Sequence, residues 1–118
     1  MKKLTDKELE IMEILWSKGP ISMRDIVAEM PEPKPHFNTV ATFVHRLEIH
    51  EMVKHQELGA RFFLYEAAVT KEKYSEARNK EHVSSFFEGS YMKFISHLVQ
   101  EREISIDELK ELIKMVEE

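Results

Sequence analysis

Residues 36–50 read HFNTVATFVHRLEIH, and they carry the pattern on which the rest of the fold depends. Apolar side chains recur in this stretch every three or four residues, at Val40, Phe43, Val44 and Leu47. This spacing places them on one side of an α-helix, so the stretch is predicted to be an amphipathic helix with a buried face. Alternating prolines in residues 31–35 exclude helix directly before it, because proline lacks a backbone N–H and disfavours helix in the preceding residue.

Two shorter helices are expected earlier in the chain, each with a recognisable start. Thr5 and Glu8 have the spacing of a capping box, which opens a first helix that Gly19-Pro20 ends. Ser22 caps a second helix, with Asp25 at the matching capping position. Three helices are therefore expected to follow one another up to residue 50.

After the third helix the pattern changes to that of short strands. Residues 52–57 and 61–65 are predicted to be strands, joined by a glycine-bearing loop at residues 58–60. Three helices followed by a hairpin is the order of a winged helix-turn-helix. We therefore expect a mainly α fold with a small β-hairpin wing, in which residues 1–68 form a winged-helix domain.

Residues 69–118 are predicted to be helical and to form a dimerisation region. They contain three short amphipathic helices without an evident core of their own, and isolated helices of this length are only marginally stable in water. We expect their apolar faces to be buried against a second copy of the chain, in a homodimer. The residues expected at this interface are Phe86, Phe87, Tyr91, Phe94, Ile95, Leu98, Leu109, Leu112, Ile113 and Val116.

The face of residues 36–50 opposite the apolar stripe carries small polar side chains. It consists of Asn38, Thr39, Ala41, Thr42, His45 and Arg46, and we name it the reading face. Its hydroxyl, amide and methyl groups are of the kind that contact base edges in a DNA major groove. The sequence therefore predicts DNA binding by the domain of residues 1–68, with additional phosphate contacts from Lys34, Lys54 and Arg61.

The charge balance sets a condition on this prediction. The chain has 17 Lys and Arg against 22 Asp and Glu, a net charge of −5, and residues 1–68 are also net acidic, with 9 against 11. Nucleic-acid-binding domains usually present a basic surface. Positive groups must therefore gather on one face, and affinity must depend on dimerisation. The acidic balance leaves an alternative open, a winged-helix adaptor that binds proteins and not DNA.

Other classes of function find little support in the residues. The chain has no cysteine, which excludes disulfides and thiolate metal sites, and its six histidines have no spacing typical of a metal site. No motif for a nucleophile or a phosphate-binding loop stands out, so we expect no enzyme activity, no metal and no cofactor.

The N-terminus does not resemble a signal peptide and no apolar run could span a bilayer, which predicts a cytoplasmic protein. A small ligand bound among the aromatic side chains near Phe86 and Phe87 is a further alternative.

The run from Asn38 to Leu47 resembles the recognition helix of the penicillinase and methicillinase repressors and their copper-transport relative. Further segments that match this family are residues 4–16, 59–65, 70–74, 86–90 and 105–109, so the resemblance covers nearly the whole chain. It implies a transcriptional repressor that binds an inverted-repeat operator as a homodimer. By their positions in the family's motifs, Thr39, Thr42, Arg46 and Arg61 would contact the DNA.

The chain departs from this family at two places. Members that respond to β-lactams are cleaved in the dimerisation arm at an Asn-Phe bond, whereas the equivalent position here is His97-Leu98. The copper-responsive relative has a cysteine-rich metal tail, and this chain has no cysteine. The resemblance thus implies a membrane sensor protease as a candidate partner, while the residues at the expected cleavage position differ.

Overall fold

A computed structural model describes residues 1–118, which form six α-helices and one two-stranded sheet. The elements are α1 (Asp6–Lys18), α2 (Met23–Glu29), α3 (Phe37–Ile49), β1 (Val53–Glu57), β2 (Phe63–Ala67), α4 (Lys71–Phe87), α5 (Tyr91–Gln100) and α6 (Ile106–Glu117). The predicted fold class, mainly helical with a β-hairpin, is confirmed. The chain forms two compact units, residues 1–76 and residues 77–118.

The first three helices begin and end close to their predicted positions. The Thr5 hydroxyl accepts a hydrogen bond from the Glu8 backbone N–H at 3.3 Å, and the Glu8 carboxylate accepts one from the Thr5 N–H at 2.9 Å, so the capping box of α1 is formed. Ser22 caps α2 by accepting from the Asp25 N–H at 3.2 Å. α3 occupies the predicted stretch less one residue at each end, and those two residues are its caps.

A single core in the first unit gathers the apolar faces of α1, α2, α3 and the hairpin. Three residues of the predicted stripe, Val40, Val44 and Leu47, are fully buried in it, and Phe43 is half-buried against it. Burying one such side chain is worth about 1.5–3 kcal/mol relative to leaving it in water. The buried stripe therefore fixes the rotation of α3 and decides which of its residues face outward.

The hairpin differs from its prediction in the second strand and in the loop. β1 and β2 pair antiparallel, but the predicted strand at residues 61–65 lies two residues too early, and the loop spans residues 58–62. The backbone gives the reason. Gly59, Ala60 and Arg61 have φ angles of 69°, 26° and 62°, and positive φ lies outside the strand region. Arg61 therefore belongs to the wing loop and not to a strand.

A short segment that the sequence did not reveal completes the sheet. The Ile21 N–H donates to the Tyr65 carbonyl at 2.9 Å, and the Tyr65 N–H donates to the Ile21 carbonyl at 2.8 Å. A bridge of one residue has no alternating pattern, so sequence periodicity cannot detect it. The two bonds hold the start of α2 against β2 and so bring α2 beside the wing.

The first unit extends into α4, beyond the expected domain end at residue 68. The Trp16 indole N–H donates to the Val69 carbonyl at 2.9 Å. The buried Tyr74 hydroxyl accepts from the Leu4 backbone N–H at 2.9 Å. The first turn of α4 is therefore bonded to the winged helix, and the compact unit runs to Glu76.

The second unit contains the remainder of α4 together with α5 and α6. α4 ends where residues 88 and 89 take positive φ, and Ser90 caps α5 by accepting from the Lys93 N–H at 3.1 Å. The predicted capping box of Ser105 and Glu108 opens α6. Val83 is the one hydrophobic side chain of this unit that is buried. None of the six helices combines the length and apolar character required to cross a membrane.

Candidate nucleic-acid interface

The reading face of α3 is turned away from the core, with one exception. Its six members share the side of the helix opposite the buried stripe, and five of them are exposed: Asn38, Thr39, Thr42, His45 and Arg46. Ala41 is half-buried and packs against the core, so only part of it is accessible. The Thr42 hydroxyl donates to the Asn38 backbone carbonyl at 2.9 Å. Its proton is therefore engaged within the helix, and the oxygen lone pairs point outward as acceptors.

A cleft lies beside the reading face, between the start of α2, α3 and the wing. It has a volume of about 550 Å³, and we name it the basic cleft. The residues that line it are Ser22, Met23, Arg24, Phe37, Ala41, His45, Arg61, Phe62, Phe63 and Tyr65. Two arginines and a histidine are among them, and no aspartate or glutamate is. A basic surface is thus present locally, although residues 1–68 are net acidic.

Arg24 is a candidate site residue that the sequence analysis missed. It is the second residue of α2, it is exposed, and it lines the basic cleft together with Arg61, which lies 37 positions later in the chain. Nothing local in the sequence pairs these two residues. The Ile21 bridge and the hairpin bring them to the same place, so only the tertiary fold identifies Arg24.

The wing loop presents Arg61 with a fixed backbone. Its N–H donates to the Glu57 carboxylate at 3.2 Å, while the Phe62 N–H donates to the Gly59 carbonyl at 2.8 Å and the Leu58 N–H to the Phe62 carbonyl at 2.7 Å. These bonds close the loop around its positive-φ residues. The guanidinium groups of Arg24, Arg46 and Arg61 form no ion pair in the structure, so all three are available to a negatively charged ligand.

The two lysines that were predicted to contact phosphates have partners inside the protein. Lys34 donates from its ammonium group to the carbonyls of Ala28 and Met30, at 2.6 and 2.9 Å. It thereby satisfies carbonyls at the end of α2 that have no partner within the helix. Lys54 pairs with Glu66 on the neighbouring strand, at 3.5 Å. A phosphate contact from either lysine would have to compete with these interactions.

The wing is connected to the end of α3 by a polar contact. Glu48 of α3 forms a hydrogen bond with the imidazole of His55 in β1, and the His55 ring packs against Phe63 and Tyr65, with centroids 5.4 and 5.6 Å away. Burial, and secondly the negative charge of Glu48, raises the pKa of the Tyr65 hydroxyl above its ordinary value. The hairpin is thus held to α3 by side chains as well as by the core.

The residues predicted at the dimer interface are all at least partly accessible within the single chain. Six of the ten are exposed: Phe86, Tyr91, Ile95, Leu112, Ile113 and Val116. The other four, Phe87, Phe94, Leu98 and Leu109, are half-buried. Phe86 is 73% exposed and Val116 is 87% exposed, which is unusual for side chains of this type. His97 and Leu98, at the position of the expected cleavage, lie inside α5.

The histidines and carboxylates do not converge on a common point. No group of three or more His, Asp or Glu residues lies close enough together to hold a metal ion. Three of the histidines, His55, His82 and His97, instead pack against aromatic rings. His82, for example, packs against Phe86, Phe87 and Phe94 with centroid distances of 5.0, 5.8 and 5.6 Å.

A winged helix whose third helix exposes small polar groups beside unpaired arginines has the construction of a sequence-reading DNA-binding protein. The model of the penicillinase repressor family matches residues 4–118 of the chain. The chain therefore belongs to the penicillinase repressor family, and it is a DNA-binding transcriptional repressor. The predicted resemblance to this family is confirmed.

Two curated relatives illustrate how far the likeness extends. The penicillinase repressor of Bacillus licheniformis is 25% identical over 122 aligned residues, which cover 100% of this chain and 94% of the relative. The methicillin resistance regulatory protein MecI of Staphylococcus aureus is 22% identical, over 93% of this chain and 89% of that protein. The similarity thus includes both compact units.

Two solved structures share the fold. The monomeric form of Bacillus licheniformis BlaI, solved in complex with the blaP half-operator, aligns with a TM-score of 0.53 and 24% identity, over 62% of this chain and 89% of that one. Streptococcus pneumoniae FabT, solved in complex with DNA, aligns with a TM-score of 0.51 and 15% identity, over 98% and 78%. At these identities the likeness supports the winged-helix fold and nothing more specific.

Proposed function

We propose that this repressor binds an inverted-repeat DNA operator as a homodimer, with one α3 in the major groove of each half-site. One observation carries the proposal: α3 buries Val40, Val44 and Leu47 and exposes a row of small polar side chains on its other side. Side chains of this size allow a helix to approach base edges closely. A two-fold symmetric dimer presents two such helices, so its binding site is an inverted repeat.

The reading face supplies the contacts that depend on DNA sequence. Asn38, Thr39 and Thr42 offer amide and hydroxyl groups to base edges, and Arg46, further along the helix, is suited to a guanine or a phosphate. His45 borders both the reading face and the basic cleft. The half-buried Ala41 contributes a methyl group at most.

The basic cleft supplies contacts to the DNA backbone. When α3 lies in a major groove and the wing lies at the adjacent minor groove, the sugar-phosphate strand that separates the two grooves must pass between them. The basic cleft occupies that space, and Arg24 and Arg61 border it. Each phosphate that they neutralise releases counterions, so binding should weaken as salt concentration rises. Lys34 and Lys54 can add to these contacts with the ammonium donors that their present partners do not use, or by exchanging those partners.

The homodimer is supported by the apolar surface of the second unit. The exposed side chains of α5 and α6 include Tyr91, Ile95, Leu112, Ile113 and Val116. Burying them against a second copy would provide the hydrophobic stabilisation that this unit lacks by itself. Dimerisation would also double the number of DNA contacts, which a net-acidic chain requires.

The proposal is tested by titrating the full-length protein into fluorescently labelled DNA from upstream of its own gene, and into a shuffled sequence of equal composition. We expect preferential binding to the upstream DNA, footprinting over an inverted repeat, and two chains per site. Affinity should fall at least tenfold between 50 and 200 mM salt, as expected for several phosphate contacts (about 10³-fold or more for six). Equal binding to both sequences would contradict the proposal.

Operator binding would place the repressor in the cytoplasm with the chromosome. A membrane sensor protease is a candidate partner, but His97 and Leu98 lie within α5, and proteolysis favours exposed, irregular segments. Cleavage at this position would therefore require local unwinding of α5.

The alternative of a protein-binding adaptor is favoured by one observation, the net charge of −5. The titration with shuffled DNA decides against the adaptor if binding is sequence-specific.

A further inference from the structure

We propose that the basic cleft is also a binding site for a small aromatic carboxylate, and that this ligand excludes DNA from the cleft. The inference rests on the proposed function for its regulatory consequence, because the ligand would occupy the path of the DNA strand. Binding itself does not depend on that function. The proposal follows from the unusual combination of residues that line the cleft.

The apolar part of the lining exceeds what a DNA backbone needs. Four aromatic rings line the cleft, those of Phe37, Phe62, Phe63 and Tyr65, together with the Met23 side chain. Phe37 and Phe62 remain 52% and 51% exposed. A phosphodiester strand is hydrophilic and gains little from such rings. Exposed aromatic side chains around a concave site are instead typical of a pocket for a small, largely apolar ligand.

The charged part of the lining selects an anion. Arg24 and Arg61 border the same cavity with His45, they form no ion pair, and no carboxylate of the protein lies among the lining residues. An arginine guanidinium binds a carboxylate through two parallel hydrogen bonds and also stacks on aromatic rings. The lining therefore matches a molecule that has a ring at one end and a carboxylate at the other.

The size of the cleft limits the ligand further. Its volume of about 550 Å³ falls within the range of roughly 300–1,000 Å³ that is usual for small-molecule sites. A molecule of one or two fused rings with one carboxylate fits this space. Two rings would contact several of the lining aromatics in the offset or edge-to-face arrangements that aromatic groups prefer.

The consequence for the repressor is competition. A bound carboxylate would neutralise Arg24 and Arg61 and fill the space between α3 and the wing. By linkage, a ligand that binds the DNA-free protein better than the DNA-bound protein must lower the affinity for DNA by the same factor. An aromatic carboxylate would therefore act as an inducer without cleavage of the chain.

Calorimetric titration of the full-length protein without DNA tests the binding. The probe is 2-naphthoate, and the controls are 2-naphthamide, which keeps the rings without the charge, and cyclohexanecarboxylate, which keeps the charge without an aromatic ring. We expect 2-naphthoate to bind at least tenfold more tightly than either control. No binding, or equal affinity for naphthoate and cyclohexanecarboxylate, would overturn the proposal.

Variants locate the site. Arg24→Gln and Arg61→Gln should each weaken naphthoate binding about tenfold, the loss expected when one charge-assisted contact is removed. Phe62→Leu keeps an apolar side chain but removes a ring, and it should weaken binding severalfold. Lys3→Gln removes one exposed charge from the same unit outside the cleft and should change nothing. Circular dichroism confirms that each variant is folded. Equal loss in Lys3→Gln, or no loss in both arginine variants, would place the ligand elsewhere.

The DNA measurement separates this inference from the proposed function. Naphthoate at saturating concentration should raise the dissociation constant for the operator at least tenfold, whereas naphthamide should leave it unchanged. Naphthoate binding without any change in operator affinity would overturn the competition. If the protein binds no DNA at all, the proposed function fails, while the calorimetry still decides whether the cleft takes an aromatic carboxylate.

Discussion

Residues 1–76 bury fifteen hydrophobic side chains in one continuous core, whereas residues 77–118 bury only Val83. The two units have helices of similar length, and each contains two helices with a side-chain N-cap, α1 and α2 in the first and α5 and α6 in the second. Local sequence signals therefore do not explain the difference. The helices of the first unit have one another and a hairpin to pack against. Those of the second unit expose their apolar faces. The comparison teaches that good helix caps define where helices are, while only packing partners make them stable.

The largest expected effect tests the core of the first unit. Leu47→Ala removes a fully buried side chain from the last turn of α3, and it should lower the free energy of unfolding by about 2–5 kcal/mol. Urea unfolding of the wild type and variant gives this value. Leu112→Ala is the matched control, because Leu112 is 48% exposed in the single chain. At concentrations below the dimer dissociation constant it should change stability far less. A similar decrease in the free energy of unfolding in both variants would contradict the difference in packing between the two units.

The next effect tests whether a second copy covers the second unit. Leu112→Glu places a charge on the apolar side of α6 and should weaken dimerisation by about 2–4 kcal/mol, because burying an unpaired charge is costly. Sedimentation velocity over a range of concentrations measures the dissociation constant. Lys110→Glu adds the same residue to the polar side of α6 as a control and should leave dimerisation nearly unchanged. A wild-type chain that stays monomeric at all concentrations would refute the dimer.

A smaller effect is expected at the surface that the stable unit positions. Thr42→Ala should reduce specific operator affinity by about 1–3 kcal/mol, the range for one good base contact, without reducing stability by a comparable amount. Anisotropy titration with operator and shuffled DNA measures the loss. Thr42→Ser keeps the hydroxyl without the methyl group, and Thr42→Val keeps the methyl group without the hydroxyl, so the pair shows which group is read. Unchanged operator affinity in Thr42→Ala would contradict the placement of this face of α3 at the DNA.

The smallest expected change in stability comes from the capping boxes of α1 and α6, which we compare first at Glu8. Burial alone would raise the pKa of Glu8, but hydrogen bonds from Thr5 and Lys2, and the charge of Lys2, outweigh burial and lower this pKa below its usual 4.5. A lowered pKa in the folded state means that Glu8 stabilises the fold above about pH 4.5 and that this contribution is lost as pH falls further. Glutamine can keep the hydrogen bond of the capping box but not the charge. Glu8→Gln should therefore cost about 0.3–1 kcal/mol at pH 7 and less at pH 3.

Glu108→Gln is the natural counterpart in the second unit. Hydrogen bonds from Ser105 lower the pKa of Glu108 as well, but this carboxylate is fully exposed to solvent. The loss of stability should be smaller than for Glu8→Gln and should depend on salt. Urea unfolding of both variants at pH 7 and pH 3 makes the comparison. If Glu8→Gln lowered the free energy of unfolding equally at both pH values, the stabilising role of the charged Glu8 carboxylate would be contradicted.

Local signals in the sequence were sufficient for the helices of the first unit. The Thr5 and Ser22 caps and the stripe of α3 act between residues at most seven positions apart, so they can be read from the sequence and are found in the structure. The same locality explains why the capping box of α6 was predicted. The Ile21 bridge, by contrast, consists of one residue and depends on a partner 44 positions away.

The sequence predicts the reading face of the candidate site, but not the surroundings of the charged residues beside it. The reading face follows from the period of α3, and only Ala41 is less accessible than its place on that face implies. Arg24 was missed because its neighbour Arg61 is distant in sequence. Lys34 and Lys54 are predicted from their charge and from their positions before α3 and in the first wing strand, whereas their internal partners depend on how α2 ends and how the strands pair. Whether these residues contact DNA is a prediction for the titrations.

In the proposed complex with DNA, the hydrogen bond inside α3 from Thr42 to the Asn38 carbonyl would constrain the operator itself. With its proton engaged, the Thr42 oxygen can only accept, and the donors that a major groove offers are the amino groups of adenine and cytosine. Guanine presents only acceptors there. We expect the base opposite Thr42 to be adenine or cytosine, and a guanine at that position to be disfavoured in both half-sites by symmetry.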